Sequence, residues 1–367
     1  MAQLAGLFQL GLSGKTAATL LGLVSVSVCL VAWRILGRRA INKGRHGRQS
    51  QSRPDLTIEP LHWFDWKTTA QRKYRPFKPI YNITMALQSS KPSDLITIDQ
   101  DYLDRIKLRR SLIRRLGSQL HGCVDHGREA LEELYGFLMA SYLPSRYPTV
   151  FQLCRDGKQL QNLATRATHP TKADADSAEA LRVLGETVEE DLFLLHETPY
   201  GHRSVALVCC FPAGFDPSSK LDKLLSEIHA PVPSYNKIEA SMERFFARVQ
   251  VGKSVKRLNW TVQADDELCR NKHKPTEVDD LGEHHHVDLE KTFLRVELQT
   301  LTRLPKTRAL LFSFKTYMYA LGQIKGEGMG PKLADAIEGL GAGNAPGMWV
   351  YKGCSQWSGR VCRYLRC

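Results

Sequence analysis

The sequence lacks the short motifs that mark the commonest metal, nucleotide and disulfide sites. None of its nine cysteines belongs to a CxxC pair, so no structural zinc site, iron–sulfur cluster or disulfide framework is indicated. It has no GxxxxGK[ST] loop and no flavin fingerprint, and the GLGAGNAPG segment lacks the strand and helix that flank a dinucleotide site. Cys209 and Cys210 lie in an apolar run, SVALVCCF, that is typical of a core strand. Reduced, buried thiols favour the cytosol over secretion.

Acidic residues are absent from the first 50 positions, although the whole chain carries 38 of them and a net charge of +13. Within this basic region, Thr16–Trp33 is an uncharged apolar run, followed by RILGRRAINKGRHGR. A helix of this length spans roughly 27 Å, which suffices for a bilayer core. We therefore predict a short tail at 1–15, a transmembrane anchor at 16–36 and a basic linker at 37–56.

A cleavable signal peptide and a mitochondrial presequence are the alternatives to this anchor. The apolar run is long for a signal peptide, is preceded only by Lys15, and lacks the interspersed Arg of a presequence. Positive charge after the run predicts a single-pass membrane protein whose remaining chain faces the cytoplasm.

A second basic cluster lies in DQDYLDRIKLRRSLIRRL, residues 99–116, where apolar residues recur at helical spacing. The cluster comprises Arg105, Lys107, Arg109, Arg110, Arg114 and Arg115. We interpret it as the solvated outer face of a helix rather than as a nucleic-acid site or a contact for an acidic partner. A second helix is predicted at Arg128–Leu143, ended by Pro144, and a polar loop at 165–180.

The later part of the chain predicts an α+β fold with an antiparallel sheet and helical insertions. An amphipathic helix in PVPSYNKIEASMERFFARVQ interrupts the strand candidates, and MWVYKG is taken as the end of the folded body. We assign residues 57–367 to one domain. The strand candidates, rich in β-branched and aromatic residues, are VEEDLFLLHET, HRSVALVCCFP, KRLNWTVQAD, TFLRVELQTLTRLP and RALLFSFKTYMYAL.

The fourth strand candidate has an unusually ordered polar face. Arg295, Glu297 and Gln299 alternate with aliphatic residues and so share one side of an extended chain. Arg can hold a carboxylate with two hydrogen bonds, and Glu can accept a proton or hold a cationic amine. On pattern alone, a polar cavity and a solvent-facing row of ion pairs both remain open.

His229 is a candidate metal ligand because it lies between a helical segment and a stiff Pro-Val-Pro turn, which fixes the backbone beside the ring. Position alone does not separate a ligand from a structural histidine. The HHH at 284–286 is disfavoured, since three consecutive side chains cannot all face one ion on a regular element. The DAD at 174–176 lies in the predicted polar loop and is also disfavoured as a metal site.

Several segments resemble, in this order, the heme-dependent oxidative N-demethylase family. The likeness covers 57–367, and IHAPVP and RVELQTLTRLP are its most specific motifs; the N-terminal segment lies outside it and looks like the addition of a fungal-type branch. The resemblance implies a PAS-like domain with heme b that demethylates a secondary or tertiary amine with O2 and external electrons. The matching segments are DQDYLDRIKLRRSLI, LPSRYPTVF, EDLFLLHET, CCFPAGFDPSSKLDKLLSEIHAPVP, KRLNWTV and FLRVELQTLTRLPKTRALLFSFKTYMYAL.

The resemblance also implies residue roles. His229 would be the axial iron ligand, and Glu297 the catalytic residue that orients the amine or relays protons. Arg295 and Arg303 would contact the heme propionates or the pocket. Because the chain has no flavin or iron–sulfur motif, electrons would come from a separate reductase or ferredoxin-like protein.

Asn259 and Trp260 of RLNWTV would line the same pocket. One position departs from the family pattern: Leu298 stands where RVERQTL usually has Arg. If that Arg supports the site, a non-catalytic heme-binding PAS-like sensor or carrier becomes the alternative function. A membrane-anchored lumenal glycosyltransferase, based on the anchor and the DAD, is less favoured, and it would place N-glycans on Asn82 or Asn259.

Overall fold

Five long segments with alternating side chains form one antiparallel sheet. The computed structural model of the protein describes residues 57–271 and 287–367. The predicted α+β fold with a large antiparallel sheet is confirmed, and each of the five strand candidates forms a strand. The strands are β1 (Gln88–Ser90), β2 (His121–Cys123), β3 (Phe151–Leu153), β4 (Gln159–Asn162), β5 (Ala167–Pro170), β6 (Asp191–Thr198), β7 (Gly201–Val208), β8 (Ser254–Gln263), β9 (Phe293–Arg303) and β10 (Leu310–Ala320).

The large sheet has the strand order β1-β8-β9-β10-β6-β7-β2, and β3, β4 and β5 form a separate small sheet. Every pairing within these two sheets is antiparallel. The α-helices are α1 (Tyr102–Leu116), α2 (Arg128–Gly136), α3 (Leu143–Arg146), α4 (Ser177–Gly185), α5 (Leu225–His229), α6 (Glu239–Arg248), α7 (Leu321–Gly326), α8 (Gly330–Glu338), α9 (Met348–Tyr351) and α10 (Cys354–Arg366).

No helix among the described residues is both long enough and apolar enough to span a bilayer. The tail, anchor and linker predicted at 1–15, 16–36 and 37–56 lie outside the described residues, as does the HHH at 284–286.

The two faces of the large sheet are covered differently. On the face that we call the core face, side chains such as Val296 and Leu298 pack with α8 and α10, and those of β6 pack with α1 and α4. On the opposite face, the cavity face, α5 and α6 lie over the sheet. Because neighbouring residues of a strand point to opposite faces, Glu297 and Gln299 belong to the cavity face.

Three local predictions are corrected. Pro144 does not end the second helix: the chain continues from α2 through a π-helical turn, Phe137–Tyr142, into α3, where Pro144 occupies the first turn and its missing N–H is not needed. The predicted loop at 165–180 contains β5 and the start of α4, and Asp176 caps α4 by accepting a hydrogen bond from the Ala178 amide at 2.9 Å. The chain also continues beyond MWVYKG into α10.

The solvated-face interpretation of the α1 cluster is wrong for Arg109, whose side chain is completely buried. Arg109 donates to the carbonyls of Gly185, Glu189 and Glu190 and forms an ion pair with Asp191 at 2.6 Å. A buried guanidinium needs this many acceptors to compensate for lost hydration. It therefore joins α1 to the start of β6.

A second buried cation, Lys315, joins the core face of β10 to the segment before α1. Its Nζ donates to Asp99, Glu189 and the Thr97 carbonyl, each at 2.9 Å. The side chain of Lys315 is 3% exposed, so its charge balances two carboxylates that have little access to water.

Replacing Lys315 by Met is expected to lower the free energy of unfolding by about 3–5 kcal/mol, because Asp99 and Glu189 would be left buried without a counter-charge. Denaturant unfolding followed by circular dichroism measures this loss. The exposed Lys107, which pairs with Asp104 at 3.0 Å, provides the control, since Lys107→Met should change stability little. Equal losses in the two variants would contradict the assigned role.

Candidate functional site

A cavity of about 860 Å³ lies between the cavity face of the sheet and the α5–α6 segment. Pockets that bury a drug-sized ligand or a cofactor typically enclose roughly 300–1,000 Å³. The wall opposite the sheet is formed by His229 at the end of α5, by Tyr235 and Ile238 after the Pro-Val-Pro turn, and by Met242 and Phe246 of α6.

One half of the sheet wall is apolar. Strand register places Leu301 of β9 between Val255 of β8 and Phe312 of β10, and Phe312 opposite Phe193 of β6. All four side chains line the cavity, together with Phe314, whose ring stacks on Phe193 with centroids 6.1 Å apart. This half offers an apolar surface of three aromatic and two aliphatic side chains.

The other half of the sheet wall is polar. Asn259 of β8 pairs with Glu297 of β9, and Arg257 pairs with Gln299. All four side chains line the cavity. The alternation that predicted a polar row on β9 therefore continues onto β8, and the row faces a cavity instead of bulk water.

Glu297 is the carboxylate at the centre of this polar half. Its Oε2 accepts hydrogen bonds from Gln299 Nε2 at 3.0 Å and from Asn259 Nδ2 at 3.3 Å. Its Oε1 lies 3.9 Å from Arg295 Nε. Two amide donors and a guanidinium behind it fix the carboxylate in one orientation while one side remains open to the cavity.

His229 lines the same cavity from the α5–α6 side. Its Nδ1 donates to the Leu225 carbonyl at 2.9 Å, and its ring stacks on Tyr235 with centroids 4.8 Å apart. The tautomer set by this bond leaves the lone pair on Nε2, the arrangement found in metal-ligating histidines. Burial lowers the pKa of His229, which also favours the neutral, ligating form.

Lys352 of the turn after α9 is a cation of the cavity that sequence reasoning missed. Its Nζ donates to the Trp260 carbonyl and lies 3.5 Å from Asn259 Oδ1. Burial lowers its pKa to about 8, opposed by the charge of Glu297. No local signal identifies it, because it comes from a loop far along the chain from β8 and β9.

Arg257 is the second missed cation, and here the sequence did contain a signal. In KRLNWTV, Arg257 and Asn259 alternate with Leu258 and Trp260, so the two pairs point to opposite faces of β8. Trp260 is 8% exposed and packs on the core face, where its ring centroid lies 6.4 Å from that of Phe77. Trp260 therefore does not line the cavity, whereas Asn259 does.

Arg295 and Arg303 also lie outside the cavity lining. Arg295 donates to the carbonyls of Phe211 at 2.5 Å and Leu268 at 3.0 Å, and so ties two loops to β9. Arg303 donates to the carbonyls of Phe246 and Val249, at 2.6 Å and 2.7 Å, where α6 ends. The terminal nitrogens of Arg295 and all three nitrogens of Arg303 donate to groups of the protein, and Arg295 Nε, which has no acceptor, is buried behind Glu297. Neither arginine is therefore placed to contact a propionate in this cavity.

Leu298, the residue at which the sequence departs from the family pattern, lies on the core face of the sheet. Its side chain is 6% exposed and packs in the core-face cluster with Val296. It points away from Glu297 by strand alternation. The substitution therefore leaves the lining of the cavity unchanged.

His202, another histidine near α6, does not line the cavity. It is buried and its Nδ1 lies 2.5 Å from Glu243 Oε2, which ties β7 to α6. The described part of the chain holds no group of three or more His, Cys, Asp or Glu side chains placed to bind a metal ion by themselves. Of the two histidines, His229 is thus the one that faces the cavity.

The model of one protein family, haem-dependent oxidative N-demethylase, alpha subunit-like, matches residues 86–362. The chain belongs to this family. The matched region contains the strands and helices of the cavity wall, whereas four lining residues precede it: Tyr81, Ile83, Thr84 and Met85. The prediction of the family from IHAPVP and RVELQTLTRLP is confirmed.

The residues of this N-demethylase-like cavity fit a heme group. The apolar half of the sheet wall matches a porphyrin face, and the volume suffices for a cofactor with space left over. His229 presents an unprotonated nitrogen whose partner nitrogen is fixed by a backbone carbonyl. His229 is thus the residue of this cavity that would hold the iron.

Proposed function

We propose that the protein is a heme-dependent monooxygenase that removes a methyl group from a secondary or tertiary amine. The observation that carries this proposal is that His229, at the end of α5, and Glu297, on β9, line one cavity. An iron ligand and a fixed carboxylate in one cavity are suited to the oxidation of an N-methyl group. Membership of the family supports the same reaction class.

Heme, when bound, supplies the binding and reduction of O2 at an open iron position. Overall, one oxygen atom enters a C–H bond of the N-methyl group, and the resulting hemiaminal breaks its C–N bond to give the shorter amine and formaldehyde. The second oxygen leaves as water, which takes two electrons and two protons. The protein must therefore orient an amine, hold protons nearby and admit electrons.

Glu297 performs the first two of these tasks in our proposal. Its fixed carboxylate accepts a hydrogen bond from the N–H of a protonated amine and so sets the position of the N-methyl group. The same carboxylate can exchange a proton at Oε1 or Oε2 within the cavity. Phe312 and Phe314 surround the methyl group with apolar contacts and limit access of water.

The strand order supports a PAS-like assignment of the fold. Across the sheet, the five long strands lie in the order β7-β6-β10-β9-β8. The helices α5 and α6 are inserted between β7 and β8, and α5 carries His229 at its end. The cavity therefore lies between the sheet and an insertion, where a PAS-like domain holds its cofactor.

The remaining parts of the proposal concern the electron source and location. The sequence has no flavin fingerprint and no cysteine cluster, so we propose a separate reductase or ferredoxin-like electron donor. The apolar run at 16–33 and the basic residues after it support a single-pass anchor, of a fungal-type branch, that leaves 57–367 on the cytoplasmic side. Protease protection of the full chain in intact microsomes tests this orientation, and protection of 57–367 would contradict it.

The function is tested by incubating the heme-loaded full chain with dimethylamine, trimethylamine and longer N-methylamines, an electron donor and O2. We expect amine-dependent O2 uptake with one formaldehyde released per O2 consumed. Heme binding without uptake for any N-methylamine, when the donor reduces the heme, would favour the sensor or carrier instead. Peroxide release without formaldehyde would also contradict the proposal.

The charge state of Lys352 should make amine binding dependent on pH. Since burial lowers the pKa of Lys352 to about 8, the residue loses its positive charge as pH rises through this value. A cationic amine beside Glu297 then meets one competing charge fewer. We expect dimethylammonium to bind about fivefold more tightly at pH 9 than at pH 7, measured by the shift of the heme absorption band.

Three other ionisable groups at this end of the cavity do not account for this dependence. Burial raises the pKa values of Tyr81 and Tyr351, so both stay neutral in this range, while Arg257 stays charged. In a Lys352→Met variant the affinity should be nearly independent of pH between 7 and 9. An undiminished pH dependence in this variant would exclude Lys352 as its source.

A further inference from the structure

Arg257 uses its donors differently from Arg109, Arg295 and Arg303, the buried arginines described above. Arg109, Arg295 and Arg303 each direct donors to backbone carbonyls at 2.5–3.1 Å. Arg257 lines the cavity, its Nε is buried without an acceptor, and its side chain forms no hydrogen bond or ion pair within the described part of the chain. The Arg257 side chain is half-buried, and a buried Nε without an acceptor is destabilising unless a ligand supplies one.

The nearest carboxylate of the wall does not supply this acceptor. Arg257 lies opposite Gln299, so Glu297 is at the diagonal position on the neighbouring strand. In a sheet this separates the two Cα atoms by about 7–8 Å. Glu297 already accepts from two amides and lies 3.9 Å from Arg295. The wall thus presents a cation and an anion side by side without pairing them.

Lys352 adds a second cation at the same end of the cavity. It approaches Asn259, the residue between Arg257 and Glu297 in the polar row, from α9. Tyr81 lies near enough that the charge of Arg257 lowers its pKa, against the larger effect of burial. Two cations and a hydroxyl around one open volume are donors for a planar, two-oxygen anion.

We propose that Arg257, supported by Lys352, is a carboxylate-binding subsite of this cavity, placed beside the carboxylate of Glu297. Two ligands could supply the carboxylate: a propionate of the heme, or the carboxylate of an N-methylated amino acid whose amine is held by Glu297. The second source rests on the proposed function and would make the substrate a zwitterion instead of a simple amine.

The first arm of the test compares heme b with heme dimethyl ester, whose propionates are esterified, as ligands of the heme-free full chain. If a propionate occupies the subsite, the wild-type protein binds heme at least about tenfold more tightly than the ester, and Arg257→Gln removes this preference. Arg257→Lys keeps the charge but not the bidentate geometry, so this variant should retain part of the preference for heme over its ester. Arg244→Ala, an exposed arginine of α6 outside the cavity, should leave it unchanged.

The second arm compares N,N-dimethylglycine with dimethylamine as ligands of the heme-loaded chain, followed by the shift of the heme absorption band. If the substrate carboxylate occupies the subsite, the wild-type protein prefers N,N-dimethylglycine by about tenfold, and Arg257→Gln loses this preference while still distinguishing heme from its ester. Thermal unfolding of each variant confirms that it is folded.

The outcomes separate the subsite from the proposed function. A folded Arg257→Gln protein that behaves as wild type in both arms overturns the subsite, whatever the catalytic activity. If the wild-type chain binds no heme, the proposed function fails, and calorimetric titration of the heme-free chain with N,N-dimethylglycine decides the subsite alone. Binding that requires Arg257 supports the subsite, and binding that is absent or indifferent to Arg257 overturns it.

Discussion

Replacing His229 by Ala should abolish axial ligation of heme and weaken heme binding beyond the roughly 10–100-fold loss typical of an outer-shell partner. Among the described residues that line the cavity, His229 is the single histidine, and its Nδ1 is fixed by the Leu225 carbonyl. The absorption and electron paramagnetic resonance spectra of the heme-loaded variant measure the change. External imidazole added to His229→Gly should restore a wild-type spectrum, which a purely structural role would not produce.

The control for this prediction is His202→Ala. His202 is buried against Glu243 and lies outside the cavity lining, so its loss should lower stability while the spectrum of the bound heme stays as in the wild type. A native-like spectrum in His229→Ala would remove the ligand assignment. A changed spectrum in His202→Ala would indicate that His202 is the iron ligand instead of His229.

Replacing Glu297 by Gln should lower turnover about 10²–10⁴-fold, the range associated with a general acid–base residue. Gln keeps the size of the side chain and can still meet Asn259 and Gln299, but it neither carries charge nor exchanges a proton. The heme spectrum should therefore change little, and thermal unfolding of the variant shows what the loss of the carboxylate beside the buried Arg295 costs in stability. Formaldehyde release per unit time, measured at saturating amine, tests the prediction.

The matched control for this prediction is Glu290→Gln, an exposed residue just before β9. It should leave turnover unchanged. Dimethylammonium affinity of Glu297→Gln should fall as well, because the variant no longer offers an anion to a cationic amine. Unchanged turnover together with unchanged affinity would exclude Glu297 from both roles.

The sequence predicted the large sheet well because its strands carry their own signal. Alternation along β9 placed Glu297 and Gln299 together on one face, and the structure puts that face on the cavity. The same rule places Leu298 in the core. It was not applied to β8, where Asn259 and Trp260 are neighbours and so cannot line the same cavity.

The positions that sequence reasoning assigned least well depend on contacts distant in the chain. Arg303 shares the face of Glu297 but lies at the end of β9, where the carbonyls at the end of α6 take its donors. Arg109 looked like part of a solvated helical face, yet its counter-ion, Asp191, is 82 residues away. Such pairings follow from how α1 meets β6, which composition and spacing do not specify.

The functional site likewise contains residues with a local sequence signal and residues placed only by contacts distant in the chain. The Pro-Val-Pro turn made His229 a candidate and strand alternation made Glu297 one, while their roles came from the family resemblance and remain predictions. Lys352 reaches the cavity because the turn after α9 lies beside β8. No motif near β8 or β9 predicts it. Sequence reasoning therefore treats the elements around a cavity separately, and here it did not identify the cations Arg257 and Lys352 as part of the lining.

The measurement that tests the account most directly is the absorption spectrum of the full chain after addition of stoichiometric heme b, recorded oxidised, reduced with dithionite, and reduced under carbon monoxide. We expect an intense Soret band distinct from that of free heme, which shifts on reduction and again with carbon monoxide, as for a histidine-ligated iron with an open position. A spectrum indistinguishable from free heme in all three states would contradict the account.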